Sequence, residues 1–125
     1  MIEVVSTVNA PAALGPYSQA LKVNGFIYCS GQIPINPASN AVEAVSIEDQ
    51  TRQAITNLKN VLEAAGSSLA NVVKTTVFIK DMNDFVALNG VYAEMFGDTK
   101  PARSCVEVAR LPKDVKVEIE AIAVC

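Results

Sequence analysis

Residues 115–124 constrain the architecture more than any other stretch of this chain. They alternate as a β-strand does, and successive side chains of a strand point to opposite faces. Val117, Ile119, Ala121 and Ala123 therefore share one face, and Lys116, Glu118, Glu120, Ile122 and Val124 share the other. The first face asks for a core. The second is half charged and half apolar, which suits a surface between subunits with a polar cleft at one end.

The other elements follow from periodicity and punctuation. Residues 2–5 read as a short strand, and residues 9–16 as a loop broken by two prolines and a glycine. Residues 17–23 and 26–30 read as strands joined by Asn24-Gly25, the signature of a two-residue hairpin. Pro34 and Pro37 keep the chain irregular to Val45. Ser46 then caps a helix in which Ile47, Ala54, Ile55, Leu58, Val61, Leu62 and Ala65 recur at helical spacing before Gly66. Residues 71–80 form a Val- and Thr-rich strand, with Val73, Val77 and Ile79 on one face and Val72 and Phe78 on the other. Apolar residues on both faces predict an internal position in the sheet. Residues 81–84 open a second helix whose stripe of Phe85, Leu88, Tyr92, Met95 and Phe96 stops at Gly97. Residues 103–108 and 115–124 are the last strands. The order β-β-β-α-β-α-β-β predicts an α+β fold: one mixed sheet of about six strands with two helices packed on one face. The opposite sheet face needs cover.

Size and composition narrow the function. At 125 residues the chain is a single domain, residues 1–125. Half of its residues are apolar, and 18% are charged against roughly 25% in a typical soluble domain. A charge-poor chain of this size is expected to hide apolar surface in a homo-oligomer. The net charge is −3, and the lysines and arginines are scattered. Nucleic-acid binding, which needs clustered positive charge, is disfavoured. No run approaches a membrane span, and the start lacks the features of a signal or transit peptide. Cys29, Cys105 and Cys125 are widely spaced and form no C-x-x-C pair, so neither a metal site nor a disulfide framework is expected. A reducing cytoplasm fits that usage best.

Two segments carry the chemistry. In Pro101-Ala102-Arg103-Ser104-Cys105-Val106, the alternation places Arg103 and Cys105 on one face. In Val117-Glu118-Ile119-Glu120 it does the same for the two carboxylates. One guanidinium, one thiol and two carboxylates on strands able to pair resemble a small-anion site. The plainer reading of Arg103 is an ion pair with Glu118 or Glu120, and that of Glu118 a pair with Lys116. Glu120 lies on the same face as Glu118, and spacing alone does not choose between them.

With those residues in view, the chain resembles the RidA/YjgF family of imine deaminases along essentially its whole length. The resemblance rests on Pro101-Ala102-Arg103, Ala109-Arg110-Leu111 and Val117-Glu118-Ile119. Asn9-Ala10-Pro11, Gly15-Pro16-Tyr17, Ser30-Gly31-Gln32-Ile33-Pro34, Lys74-Thr75-Thr76-Val77-Phe78 and the stretch from Asn89 to Tyr92 extend it. It implies a chorismate-mutase-like α/β domain, three copies of which form a trimer with a central barrel and clefts between subunits. It implies hydrolysis of reactive 2-imino and enamine acids such as 2-aminoacrylate to 2-keto acids and ammonia. The family's functional positions fall at Tyr17, Ser30, Gly31, Asn89, Arg103, Cys105 and Glu118. The short link Gly97-Asp98-Thr99-Lys100 is expected to border the cleft. Cys29 and Cys125 lie outside the family pattern.

The roles that follow are chemically coherent. Arg103 would grip the substrate carboxylate through two parallel charge-assisted hydrogen bonds. Glu118, which the resemblance selects over Glu120, would position or deprotonate the attacking water. Cys105 has three readings: nucleophile, polar wall or inert thiol. The chain has no histidine to act as its base, so covalent catalysis is disfavoured, although Arg103 could lower its pKa. Tyr17 would pack its ring on the planar substrate, Ser30 would donate a hydrogen bond, and Gly31 would let backbone approach the ligand. Asn89 would reach the cleft from the second helix. No cofactor and no metal is expected, because a protonated imine is already electrophilic and needs mainly orientation and acid–base help. The competing reading is a ligand-binding regulator or stress-linked chaperone on the same fold. A ribonuclease, a role attached to some relatives, is opposed by the acidic charge balance and the missing histidine.

Overall fold

Asn24 and Gly25 both take positive φ, 51° and 79°, in the computed structural model, which describes residues 1–125. That pair of left-handed residues matches the twist of the flanking strands and closes the expected hairpin. It joins β2 (Ala20–Val23) to β3 (Phe26–Gln32), and β1 (Glu3–Val5) pairs antiparallel with the outer edge of β2. Helix α1 (Ile47–Ala64) begins at Ser46, whose hydroxyl accepts from the Asp49 amide at 3.1 Å, as its sequence signature required. After β4 (Val72–Ile79), Asp81 caps a short 3₁₀ turn and helix α2 (Phe85–Phe96) follows. Gly97 ends α2 at φ 62°. Strands β5 (Ala102–Glu107) and β6 (Val117–Val124) complete one six-stranded mixed sheet in the order β1-β2-β3-β6-β4-β5.

The topology explains the two-faced last strand. β6 sits inside the sheet, antiparallel to both β3 and β4. Its Val117, Ile119, Ala121 and Ala123 are buried in one core cluster with Ala54, Ile55, Leu58, Val61 and Leu62 of α1 and Leu88 of α2. Its Glu118, Glu120, Ile122 and Val124 face away from the helices. Val4, Phe26, Tyr28 and Val106 are exposed on that same open face. One sheet face is therefore covered within the chain and the other is not.

Four expectations need correction. The strands bearing Arg103 and Glu118 do not pair, because β4 runs between them, parallel to β5 and antiparallel to β6. The strand predicted from Tyr17 begins only at Ala20, and Tyr17 lies in the preceding loop. The buried Gln19 side chain explains that loop, since its amide accepts from Thr7 N–H at 2.7 Å and donates to Pro11 O at 2.7 Å. Finally, a register shift between Val72 and Lys74 turns Val72 into the core with Val77 and Ile79, and leaves Val73 exposed. A second shift between Cys29 and Gln32 bulges β3 at Ser30-Gly31, so that strand runs two residues past its expected end at Ser30.

Candidate active site

Register decides which candidate side chains meet. Arg103 and Cys105 pair across the β4–β5 ladder with Thr75 and Val77, both buried on the helix side. Glu118 and Glu120 pair with Phe78 and Thr76 on the open side. Paired residues project to the same face, so the guanidinium and the carboxylates occupy opposite faces of the sheet within one chain. Within one chain the candidate residues fall into two groups, each a candidate half-site.

The first half-site is built around Arg103. Its guanidinium lies 4.8 Å from the Tyr92 ring centroid and 5.5 Å from that of Phe85. Nη1 donates to Asn89 Oδ1 at 2.7 Å. The ion pairs of the chain, Arg52–Glu94, Lys59–Glu63 and Arg110–Asp114, do not involve Arg103. It is a half-buried cation with no carboxylate partner, and the ion-pair reading is thereby excluded within the chain. Asn89 reaches Arg103 from α2. Gly97, Thr99 and Lys100 of the short link line a cavity of about 370 Å³ together with Pro101, Tyr92 and Arg103. Cys105 sits beside Arg103 on the same face. Burial pushes its thiol up, and the Arg103 charge only partly offsets that. The net shift is opposite to the depression that Arg103 alone would cause, so burial works against the thiolate that a nucleophilic role needs.

The second half-site is built around Glu118. A Cβ placed on Gly31 would lie 2.5 Å from Glu118 Oε2 and 2.9 Å from its Cδ. Only glycine lets the carboxylate lie across the β3 bulge, which gives Gly31 a role more specific than open access for a ligand. Burial, followed by repulsion from Glu120, raises the Glu118 pKa above the ordinary carboxylate range. A half-buried carboxylate of raised pKa is suited to taking a proton. Tyr17 and Gly31 line a smaller cavity of about 190 Å³ with Ile33, Pro112 and Lys113. Tyr17 is 55% exposed, so it is not an ordinary core aromatic. Ser30 is placed differently from its expected role. Its hydroxyl donates to Ser18 O at 2.6 Å, and its amide to Gln19 O at 3.0 Å. It thus holds the Tyr17 loop against the bulge.

Several contributors escaped sequence reasoning. Periodicity places Phe85 and Tyr92 only in the helix core, yet they flank Arg103. Their signal was present: Phe85, Asn89 and Tyr92 are spaced i, i+4, i+7, which sets a polar residue within an aromatic stripe on one helix face. Lys113 and Asp114 take left-handed φ of 56° and 54° in the turn beside the second half-site. Arg110 Nε donates to Asp114 Oδ1 at 2.9 Å and fastens that turn. Neither φ value was legible in residues that are not glycine.

Comparison with known proteins places this geometry in context. The pattern of the Endoribonuclease L-PSP family matches residues 7–125. The chain is 58% identical over 123 residues to RutC family protein PH0854 of Pyrococcus horikoshii, covering 98% of each chain. It is 54% identical over 127 residues to the 2-iminobutanoate/2-iminopropanoate deaminase of Escherichia coli K12, covering 99% of this chain and 98% of the relative. The crystal structure of E. coli TdcF with bound serine superimposes with a TM-score of 0.94 at 45% identity, covering 98% of both chains.

Proposed function

The chain belongs to the Endoribonuclease L-PSP family, which includes the RidA/YjgF deaminases it resembles, and on that premise we propose that it hydrolyses reactive 2-imino and enamine acids to 2-keto acids and ammonia. The observation that carries the reading is the unpaired guanidinium of Arg103, held by Asn89 and two aromatic rings beside a cavity. It is a receptor for a small carboxylate. The E. coli deaminase acts on such acids by name, and TdcF binds an amino acid.

The two half-sites join between protomers in this account. Each chain offers Arg103, Asn89 and Cys105 from one side of its sheet and Glu118, Gly31 and Tyr17 from the other. A homotrimer with its open sheet faces turned into a central barrel covers Val4, Phe26, Tyr28 and Val106. The same packing brings Arg103 of one copy to Glu118 of the next. The imino acid carboxylate rests on Arg103. Glu118 takes a proton from water as the oxygen attacks the C=N carbon, giving a carbinolamine. Glu118 returns that proton to nitrogen and then takes the carbinolamine hydroxyl proton as the C–N bond breaks and the C=O bond forms, so ammonia leaves and the ketone remains. Orientation in the closed cleft lowers the barrier further.

The substrates are compounds such as 2-aminoacrylate that escape from pyridoxal-phosphate dehydratases, so the activity protects such enzymes from damage. The three cysteines are free thiols, one of them buried, which supports a reducing, cytoplasmic setting. No helix is long and apolar enough to cross a membrane. The ribonuclease activity in the family's name finds no support in a chain of net charge −3 without histidine.

The reading is tested by adding purified protein to a serine dehydratase reaction and following ammonia release. The deaminase accelerates release and shortens the lifetime of the enamine. A regulator that only binds the ligand leaves the rate at that of spontaneous hydrolysis.

A further inference from the structure

We infer that Tyr92 and Phe85 are positioning residues: their ring faces hold the Arg103 guanidinium so that its donors stay available to a substrate carboxylate. This rests on the deaminase reading and adds residues that act through Arg103 without touching the reacting atoms. A guanidinium carries five N–H donors in one plane. A carboxylate partner would fix it in place but would consume two donors and neutralise the charge. Aromatic rings attract a cation lying over their own faces and accept no conventional hydrogen bond from it. Here the rings stand 4.8 Å and 5.5 Å away, and a single donor group is committed, to Asn89 at 2.7 Å.

The Tyr92 ring is itself locked. Its hydroxyl is hydrogen-bonded to the buried Thr75 hydroxyl at 2.8 Å, and its ring stacks on Phe96 at 4.5 Å. Thr75 is the residue paired with Arg103 across the β4–β5 ladder. The strand bearing the arginine and the ring holding it are thus tied through one threonine. The Tyr92 hydroxyl is also kept protonated, because burial raises its pKa more than Thr75 and Arg103 lower it. Phe85 completes the clamp from the first turn of α2.

The test compares Tyr92→Leu, Tyr92→Phe and Phe85→Leu in the intact assembly. Two readouts are used: calorimetric binding of 2-oxobutanoate, and the ¹⁵N-edited NMR signal of Arg103 Nε–H. Leucine at either position is expected to weaken 2-oxobutanoate by about tenfold. The KM for imine should rise by a similar factor with kcat little changed. Tyr92→Phe keeps the ring and should recover affinity to within about threefold of wild type. The ring-current displacement of the Arg103 Nε–H signal should shrink in Tyr92→Leu, where only Phe85 remains, and persist in Tyr92→Phe. Wild-type affinity in both leucine variants would overturn the clamp, and so would a Tyr92→Phe as weak as Tyr92→Leu. If wild-type protein neither binds 2-oxobutanoate nor releases ammonia, the deaminase reading falls. The NMR displacement alone then decides whether the rings hold Arg103, and its absence from wild type overturns the clamp.

Discussion

Replacing Arg103 by alanine is expected to lower kcat/KM for 2-imino acids by about two to three orders of magnitude, from the loss of two charge-assisted hydrogen bonds to the substrate carboxylate. The fold should survive. Arg103 lies on the edge strand β5, half-buried, and makes no ion pair. Its only side-chain hydrogen bond in the chain is to Asn89, which can turn to water once the guanidinium is gone. Thermal unfolding should therefore move by no more than a few degrees. Lysine should not restore activity, because a point charge on a flexible stem reproduces neither the planar fork nor the fit between Phe85 and Tyr92. Steady-state kinetics with enzymatically generated imine, beside a melting curve, checks this. A folded Arg103→Ala protein of wild-type activity would remove Arg103 from the mechanism.

Glu118→Gln is expected to lower kcat by about two to four orders of magnitude, the usual span for loss of a positioned general base. The substitution keeps the shape that lies across Gly31, so the β3 bulge should stand. The pH dependence gives a finer check. Burial and Glu120 raise the Glu118 pKa, and the active form is the carboxylate. Wild-type kcat should therefore climb with pH through a raised carboxylate range and level off above it, whereas residual Glu118→Gln activity should lack that limb. Stability moves in the opposite sense. A carboxyl whose folded pKa lies above its unfolded value holds more protons when folded. Its stabilising contribution is complete below the unfolded pKa and is lost as pH rises through the folded one. At neutral pH Glu118→Gln should then be more stable than wild type, and the gap should close under acid. Equal melting temperatures at every pH would show that Glu118 is not strained by its setting.

Local patterns in the sequence were reliable wherever the physics is local. The Asn24-Gly25 turn, the Ser46 cap and the alternation of β6 each depend on a few neighbouring residues, and each is present. Pairing partners are a different matter. Nothing in residues 102–107 or 117–124 reveals that β4 runs between them, because strand order is set by how α1 and α2 cross over the sheet. That one fact moves Arg103 and Glu118 to opposite faces. That separation within one chain fits the clefts between subunits that the family resemblance implies. Bulges escaped for a related reason. Val72 and Ser30-Gly31 shift register through packing against partners distant in sequence, whereas alternation assumes an unbroken period. Tyr17 looked like a strand residue until the buried Gln19 amide was seen to hold its loop. The aromatic clamp was hidden because an aromatic stripe on a helix is usually core, and only the facing strand shows that it receives a guanidinium.

The central claim is that each site is shared, with Arg103 from one protomer and Glu118 from its neighbour. The direct measurement uses two inactive chains, Arg103→Ala and Glu118→Gln, co-expressed in equal amounts and purified as mixed assemblies with distinguishable tags. In a three-membered ring of identical interfaces, every mixed assembly, whichever chain is in the majority, has one of its three clefts with both intact residues, about one third of the total. The account predicts that deaminase activity returns to about that fraction of wild type in the mixture, although each parent alone is nearly inactive. A mixture no more active than its parents would contradict it, because a site contained within one chain gains nothing from a neighbour.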